Sequence, residues 1–390
     1  MFGESVYVVL GGRHANETIY TDKGKTCVKH HNGSPLKLIA EGKIENIFDL
    51  VISGEGEFVI AKIGEIIADS DRKRIAKVSS SVVLQEISGV LGNWIAGYFD
   101  GNSIKTVISG QKKIDLDQLP SPAKMFGVNT GFNVFPGALT GHAFSDISTG
   151  CIYDCDFCSE RNSVCGPLIQ VETSSTRLFR QLKDIYDVIT EDSPGLKASA
   201  FIEDSMILGG LNSQLAKLNN MLKDHPIDIK FGGQLTVDVA IKQEETIREL
   251  TRRGLNYIFV GLETFDPGSI GGMNKDIGKE TWIIRSERMV SEYSEMGTRI
   301  GVAVLFGLGE SQSQRIALLQ QISNWKNKYD NPVAVSFNWA VQHPLKGDDN
   351  GTGYDYLNWS VESPEHIKIF RDYGEASVIY GIPGISLPTL

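Results

Sequence analysis

The chain has 390 residues, which is more than one typical domain, and its 38 basic and 48 acidic residues give a formal net charge of −10. This acidic balance argues against a broad nucleic-acid-binding face. No apolar run approaches the roughly 18 residues that a membrane-spanning helix needs, and the N-terminus lacks the basic and apolar regions of a signal peptide. We therefore expect a cytoplasmic protein that binds neither nucleic acid nor a membrane.

The first 125 residues predict a small domain of Rossmann-like type. Residues 5–12, SVYVVLGG, form an apolar strand that ends in two glycines, and residues 48–57, FDLVISGEGE, repeat that pattern. The next stretch, 58–69, has helical apolar spacing. Residues 94–110 predict a hairpin that turns at Asp100-Gly101-Asn102. These elements are too few for a complete doubly wound domain, which needs about five or six strands.

A linker is expected at residues 119–124, LPSPAK, because two prolines fall close together. Beyond it, strand and helix patterns alternate. Apolar strands are expected at 144–149, 198–203, 227–233, 257–263, 300–309 and 333–340, and helices at about 175–190, 211–224, 242–253, 278–296, 313–328 and 363–376. Parallel strands need crossover connections, so this alternation predicts a parallel sheet.

The predicted fold class is therefore α/β, with a partial (β/α)6 TIM-type barrel preceded by a truncated Rossmann-like cap domain. Residues 1–125 form the cap, residues 126–345 the barrel, and residues 346–390 a C-terminal segment that closes the mouth of the barrel. In such sheets the chemistry lies at the carboxyl ends of the strands.

Three of the five cysteines lie within eight residues, CIYDCDFC, as Cys151, Cys155 and Cys158; the others are Cys27 and Cys165. A clustered, odd-numbered set is a poor disulfide framework and indicates metal binding in a reducing compartment. Zinc would take a fourth ligand, which Cys165 could supply. A [4Fe–4S] cluster held by three thiolates would keep one iron open to a small molecule.

This stretch resembles the cluster loop of the radical S-adenosylmethionine superfamily, with Phe157 at its aromatic position. The resemblance implies a [4Fe–4S] cluster on Cys151, Cys155 and Cys158, whose open iron binds S-adenosylmethionine. Cleavage of that cofactor would give a 5′-deoxyadenosyl radical, which abstracts hydrogen from a small-molecule substrate. A reductase or a flavodoxin-type protein would supply the electron.

Other segments resemble the cofactor-binding parts of the same family. They are FIEDSMI (201–207), GQLTVDV (233–239), VGLETFDPGSIGGMNK (260–275), FGLGES (306–311) and NWAVQHP (338–344). The resemblance implies that the cofactor is contacted by Phe157, Glu203, Gln234, Thr236, Glu263, Gly307 and Trp339. Each of the five segments has a structural alternative, such as helix capping at Glu203 and Asp204 or a plain turn at Gly307.

The N-terminal stretches VVLGGRHAN (8–16) and DLVISGEGE (49–57) resemble a subgroup with a cobalamin-binding domain ahead of the barrel. Arg13 stands where that subgroup has proline. The front half of the subgroup's cobalamin-binding domain, with its Asp-x-His-x-x-Gly loop, has no counterpart in this sequence. His14 is therefore not expected to bind cobalt, and cobalamin is not expected to bind. The segment would instead pack on the barrel, shape a substrate pocket or form an interface.

Two further features bear on the reaction. Cys165 is a candidate hydrogen-atom donor to a substrate radical, as in radical epimerases, with an inert thiol as the alternative. The polar and aromatic stretch 342–359 suits a small polar substrate, and His343, Lys346 and Tyr380 are possible contacts. Epimerisation, dehydration, rearrangement and group transfer all stay open. The alternatives are a cobalamin-dependent radical S-adenosylmethionine methyltransferase and a non-catalytic zinc-binding module.

Overall fold

A computed structural model gives the architecture of the chain. It describes residues 6–12, 15, 17–23, 25–30, 34–72, 77–109, 119–145, 151–153, 155, 158, 174–264, 281–306, 310–339, 355–356 and 380–381. The chain divides into two compact units, one of residues 1–116 and 344–350 and the other of residues 117–343 and 351–390. No helix in these described ranges is long and apolar enough to cross a membrane.

The first unit contains a four-stranded sheet and a separate hairpin. Its strands are β1 (Val9–Leu10), β2 (Glu17–Asp22), β3 (Lys25–His30), β4 (Leu50–Gly54), β5 (Trp94–Phe99) and β6 (Ile104–Ile108), and its helices are α1 (Pro35–Ala40), α2 (Glu57–Arg72) and α3 (Ser80–Glu86). The sheet order is β1-β4-β5-β6, and β2 pairs with β3 in the hairpin. Trp94, Leu50, Ile52 and Val83 form the centre of this unit's core.

The predicted strand-turn-helix unit is present as β4 and α2, and the predicted hairpin is present as β5 and β6. Gly54 ends β4 with φ +98°, and a Cβ there would overlap the carbonyl oxygen of Asn93, so the turn requires glycine. Among the described strands of this sheet only β1 and β4 run parallel. The sheet is therefore mixed, whereas a Rossmann-like sheet is parallel.

The second unit contains six parallel strands in sequential order, β7-β8-β9-β10-β11-β12. They are β7 (Ala138–Ala143), β8 (Lys197–Ile202), β9 (Ile229–Leu235), β10 (Leu255–Glu263), β11 (Arg299–Phe306) and β12 (Ala334–Trp339). The helices are α4 (Pro122–Phe126), α5 (Ser174–Asp192), α6 (Asn212–Asp224), α7 (Val237–Lys242), α8 (Glu244–Thr251), α9 (Trp282–Glu295) and α10 (Gln312–Tyr329), with a 3-10 turn at Ile207–Gly210. Two short strands, β13 (Asp355–Tyr356) and β14 (Tyr380–Gly381), pair with each other. The predicted partial barrel is confirmed.

The first barrel strand lies earlier than predicted, at Ala138–Ala143 and not at 144–149. Its sequence, ALTGHA, contains glycine and histidine and therefore looks like a poor strand. Gly141 is needed there because a Cβ would come within 2.6 Å of the Ile185 side chain on α5. Residues 146–149 and the predicted helix at 363–376 lie outside the described residues.

The two faces of the six-stranded sheet differ in character. The outer face packs under the helices through buried apolar side chains such as Ile202, Phe231 and Val302. On the inner face Tyr257 is 4% exposed, and a Cβ at the facing Gly301 would overlap its hydroxyl. Phe135 packs against the Tyr257 ring with centroids 6.2 Å apart. The inner face thus combines aromatic rings with glycines that give them room.

Candidate cofactor and substrate site

The three clustered cysteines lie beyond the carboxyl end of β7, the position that places chemistry in parallel sheets. Cys155 is buried, whereas Cys151 and Cys158 are partly exposed. The backbone nitrogen of Cys158 donates to the carbonyl oxygen of Cys155 at 3.0 Å, which forms a tight turn between these two thiols. The nitrogen of Tyr153 lies 3.5 Å from Sγ of Cys151.

The donor set fits an iron–sulfur cluster in its chemistry, since three thiols share one short loop. The described residues contain no group of three or more His, Cys, Asp or Glu side chains arranged to hold a metal ion. The three thiols therefore do not surround a common point in this structure. The assignment of Cys151, Cys155 and Cys158 as cluster ligands stays a prediction, and Phe157 lies outside the described residues.

Two buried polar side chains fix the chain where it leaves β7. Gln181 on α5 accepts from the nitrogen of Phe144 at 2.9 Å and donates to its carbonyl oxygen at 2.8 Å. Asp204 accepts from the nitrogen of Ser145 at 2.8 Å, from its hydroxyl at 2.6 Å and from the nitrogen of Leu208 at 3.0 Å. Gln181 and Asp204 are 2% and 0% exposed. The start of the cysteine loop is thus held by a buried hydrogen-bond network.

Sequence reasoning missed the Gln181 clamp and gave Asp204 only a capping alternative. Asp204 does accept from the nitrogen of Leu208 in the 3-10 turn, and it also reaches across to Ser145. A signal for Gln181 exists, since it falls among the apolar positions Leu178, Leu182 and Ile185 of α5. A glutamine buried on such a face needs a polar partner.

Glu203 follows β8 and pairs with a residue that the sequence reasoning did not select. Nδ1 of His142, on β7, lies 2.5 Å from Oε1 of Glu203. The two side chains are 46% and 30% exposed. The nitrogen of Glu203 also donates to the carbonyl oxygen of Ala143 at 2.9 Å, which fixes the backbone beside the pair. His142 was missed because the predicted first strand began after it.

Two partly exposed phenyl rings lie next to this pair. The Phe132 ring meets His142 edge to face, with centroids 5.6 Å apart and an interplanar angle of 74°. It also lies 5.7 Å from the Phe201 ring. Phe132 is held by its nitrogen, which donates to the Thr140 hydroxyl at 2.9 Å. The amide-anchored ring therefore has a defined place beside the imidazole.

Gln234 and Thr236, the predicted contacts of the third strand, have different surroundings. Gln234 is partly exposed on β9, where it pairs in register with Phe259. Thr236 is the N-cap of α7, and its hydroxyl accepts from the nitrogen of Val239 at 3.3 Å. In the same helical turn Asp238 forms an ion pair with Arg285. The structure thus gives Thr236 a capping role, and cofactor contact by either residue stays a prediction.

Glu263 ends β10 in an unusual backbone conformation. Its φ is +60°, in the left-handed region that side-chain-bearing residues rarely adopt. The register with β11 shifts between Gly261 and Glu263, which is a β-bulge. The carbonyl oxygen of the preceding Leu262 accepts from Nε1 of Trp282 at 3.0 Å. Such strain costs about 1–3 kcal/mol and is concentrated at functional sites.

The remaining predicted contacts are only partly described. Gly307 and Cys165 lie outside the described residues, as do His343 and Lys346. Trp339 is the last residue of β12 and pairs in register with Phe306. Three residues after Gly307 in the sequence, the buried Glu310 accepts from Nε of Arg315 at 2.6 Å. This buried ion pair anchors the start of α10.

The comparisons with known proteins agree with this architecture. No family model matches the chain. The hopanoid C-2 methylase of Rhodopseudomonas palustris (strain TIE-1) is 25% identical over 178 residues, which are 45% of this chain and 31% of that protein. The chain therefore spans about a third of the length of this curated relative.

Two solved structures of the radical S-adenosylmethionine methyltransferase TsrM from Kitasatospora setae are also similar. The structure with tryptophan and a S-adenosylmethionine analogue has a TM-score of 0.50 at 16% identity, covering 86% of this chain and 64% of that one. The structure with cobalamin and a [4Fe–4S] cluster has a TM-score of 0.50 at 14% identity, covering 90% of this chain and 68% of that one.

At these identities the structural likeness establishes the fold. One of the similar structures holds cobalamin, so the expectation that this chain does not bind cobalamin gains no support. The suspected resemblance, in contrast, is confirmed. By its cysteine motif, its fold and these relatives, the chain is similar to the radical S-adenosylmethionine superfamily, and in particular to the subgroup with a cobalamin-binding domain.

Proposed function

We propose that the chain is a radical S-adenosylmethionine enzyme that acts on a small molecule. The observation that carries this proposal is the position of the CIYDCDFC loop, which leaves the carboxyl end of the first strand of a six-stranded parallel sheet. Asp204 and Gln181 hold the backbone of Ser145 and Phe144, so the loop that carries the three thiols begins at a fixed position. A functional loop on a rigid scaffold is the usual arrangement of a catalytic site.

In this proposal Cys151, Cys155 and Cys158 would hold a [4Fe–4S] cluster, with S-adenosylmethionine at its open iron. When bound, the cluster would supply the one electron that cleaves the sulfonium to methionine and a 5′-deoxyadenosyl radical. Glu263, at the end of β10, accepts hydrogen bonds from the ammonium group or the ribose hydroxyls of the cofactor, since an ionised carboxylate is an acceptor only. A reductase or a flavodoxin-type protein is the proposed electron donor.

Two reaction types are about equally well supported. One is hydrogen abstraction that leads to epimerisation, dehydration, rearrangement or group transfer. The other is cobalamin-dependent methyl transfer, which is favoured by the activities of the similar proteins, a methylase and a methyltransferase. The two differ in their cofactor products, because methyl transfer leaves S-adenosylhomocysteine, alone or together with 5′-deoxyadenosine from a radical step, whereas hydrogen abstraction without methyl transfer leaves 5′-deoxyadenosine alone.

The test is anaerobic reconstitution of the full chain with iron and sulfide, followed by reduction and addition of S-adenosylmethionine. We expect a brown protein that releases 5′-deoxyadenosine or, with hydroxocobalamin present, S-adenosylhomocysteine. Cys155→Ala removes a buried thiol of the loop and should abolish release, whereas Cys27→Ala on β3 is the matched control. A colourless protein that retains zinc and releases neither product would instead support the zinc-binding module.

Co-elution of hydroxocobalamin with the chain in gel filtration separates the two enzyme candidates. Stoichiometric retention supports methyl transfer, and lack of retention supports hydrogen abstraction without cobalamin. The experiment should be run with the chain at several concentrations, because a weak complex dissociates on dilution.

A further inference from the structure

The pair formed by His142 and Glu203 has the chemistry of an oriented imidazole. An ionised carboxylate can only accept, so Nδ1–H of His142 donates to Oε1 of Glu203 across 2.5 Å. This bond fixes the tautomer and leaves Nε2 as the second functional atom of the ring. The imidazole is 46% exposed, so a ligand can approach it. A carboxylate-bound imidazole of this kind is a common device for binding or moving a proton.

The surroundings of the pair suit a ring-shaped ligand. Phe132 and Phe201 are partly exposed on the same side of the sheet, and the Phe132 ring contacts both the His142 ring and the Phe201 ring. Phe201 on β8 is the register partner of His142 on β7. Phe259 on β10 is likewise partly exposed, and its register partner Gly301 on β11 gives the Phe259 ring room. Small-molecule sites combine an apolar aromatic lining with a few placed polar groups. The pair is the polar group here, and it lies at the carboxyl ends of β7 and β8, the end from which the cysteine loop leaves.

We infer that His142 binds the substrate through Nε2, and that Glu203 positions the imidazole. The substrate is of the class of small planar molecules that carry an N–H or O–H group, which Nε2 accepts while the ring packs on Phe132 and Phe201. This inference rests on the proposed function only for calling the ligand a substrate. It gives Glu203 a role through His142, in place of the direct cofactor contact that its sequence segment predicts.

The test uses two isomers as probes, 3-methylindole and 1-methylindole, which have the same composition and ring but differ in the N–H group. Equilibrium dialysis against the full reconstituted chain gives both dissociation constants. We expect 3-methylindole to bind about tenfold more tightly, the effect of one hydrogen bond. His142→Phe should remove this preference, whereas His225→Phe, at an exposed histidine that also lies beside a phenyl ring, should retain it.

The positioning role of Glu203 is tested by the tautomer of the His142 ring, which would not change if Glu203 only stabilised the fold. With 15N-labelled histidine, the signal lost in His142→Phe identifies the His142 ring among the seven histidines. We expect a single Nδ1–H tautomer in the unmodified chain, a tautomer mixture in Glu203→Ala and recovery in Glu203→Asp. Equal binding of the isomers, no binding of either, or an unchanged tautomer in Glu203→Ala would each overturn the inference.

The proposed function is tested separately by release of 5′-deoxyadenosine or S-adenosylhomocysteine from the unmodified chain. An isomer preference without release contradicts only the proposed function. Release without an isomer preference contradicts only the inference about His142.

Discussion

Asp204 accepts two hydrogen bonds from Ser145, at 2.8 Å from the nitrogen and 2.6 Å from the hydroxyl, although 59 residues separate them. Ser145 lies six residues before Cys151 in the sequence. The carboxylate also accepts from the nitrogen of Leu208, so it joins the loop after β7 to the turn after β8. The buried carboxylate therefore sets where the cysteine loop begins.

Asp204→Asn should destabilise the fold and lower the iron content. The carboxylate oxygens accept hydrogen bonds from N–H and O–H groups, whereas the asparagine amide would present its own NH2 donor to one of them. A buried donor is then left unsatisfied, which costs about 1–3 kcal/mol. We would measure urea unfolding of the metal-free chain and iron per chain after reconstitution. Asp187→Asn, at an exposed ion pair with Lys183 on α5, is the control and should cost less than about 1 kcal/mol. Unchanged stability and iron in Asp204→Asn would contradict this account.

The cysteine assignment makes a second prediction. Cys151→Ala, Cys155→Ala and Cys158→Ala should each abolish cleavage of S-adenosylmethionine and lower the iron content, because two thiolates rarely hold the cluster. Cys165→Ala should keep its iron. Iron per chain and product release would be measured for all four variants. Loss of iron in Cys165→Ala together with retention in one of the other three would mean that the ligand set is wrong.

Tyr257 predicts a pH effect on stability. Burial raises its pKa to about 12, against a smaller opposing effect of Arg299. The unfolded chain releases this proton near pH 10 and the folded chain does not, so the contribution to stability is present below about pH 10 and is lost as the pH rises toward 12. Tyr257→Phe lacks this group, so between about pH 9 and about pH 12 its free energy of unfolding should fall by about 2 kcal/mol less than that of the unmodified chain.

The measurement is urea unfolding of both proteins at several pH values in that window. The comparison with the unmodified chain is needed because Tyr7 also has a raised pKa, of about 12, and titrates in both proteins. Parallel stability curves for the two proteins would show that Tyr257 is not desolvated in the folded state.

The sequence predicted the parts of the fold that depend on local pattern. Apolar runs such as YIFVGLE identify strands because both faces of a parallel strand are covered. It misplaced β7, since Gly141 and His142 are explained only by the Ile185 side chain and by Glu203 across the sheet. The polar alternation of β2 and β3 lacks an apolar run, so that hairpin was missed.

The candidate site likewise contains residues that local sequence predicts and residues that only the folded chain brings together. The cysteine spacing is a local signal and identifies the loop without a structure. The contacts of Gln181 and His142 join residues 37 and 61 positions apart, so only the folded chain brings them together. Thr236 looked like a cofactor contact by resemblance, while its position directly before a helix is equally the signal of an N-cap.

Glu263 combines a strained backbone with a carboxylate at the carboxyl end of β10, and the last prediction separates the two. Glu263→Gln keeps the shape but removes the charge, and charge-assisted hydrogen bonds contribute about 1.5–3 kcal/mol each. It should weaken binding of S-adenosylmethionine roughly ten- to a hundredfold, measured by calorimetry on the reconstituted chain. Glu263→Gly should weaken binding as well, yet stabilise the fold by about 1 kcal/mol, since glycine adopts φ +60° without strain. If Glu263→Gly instead destabilises the chain while Glu263→Gln leaves the dissociation constant unchanged, the strained residue serves the fold and not the cofactor.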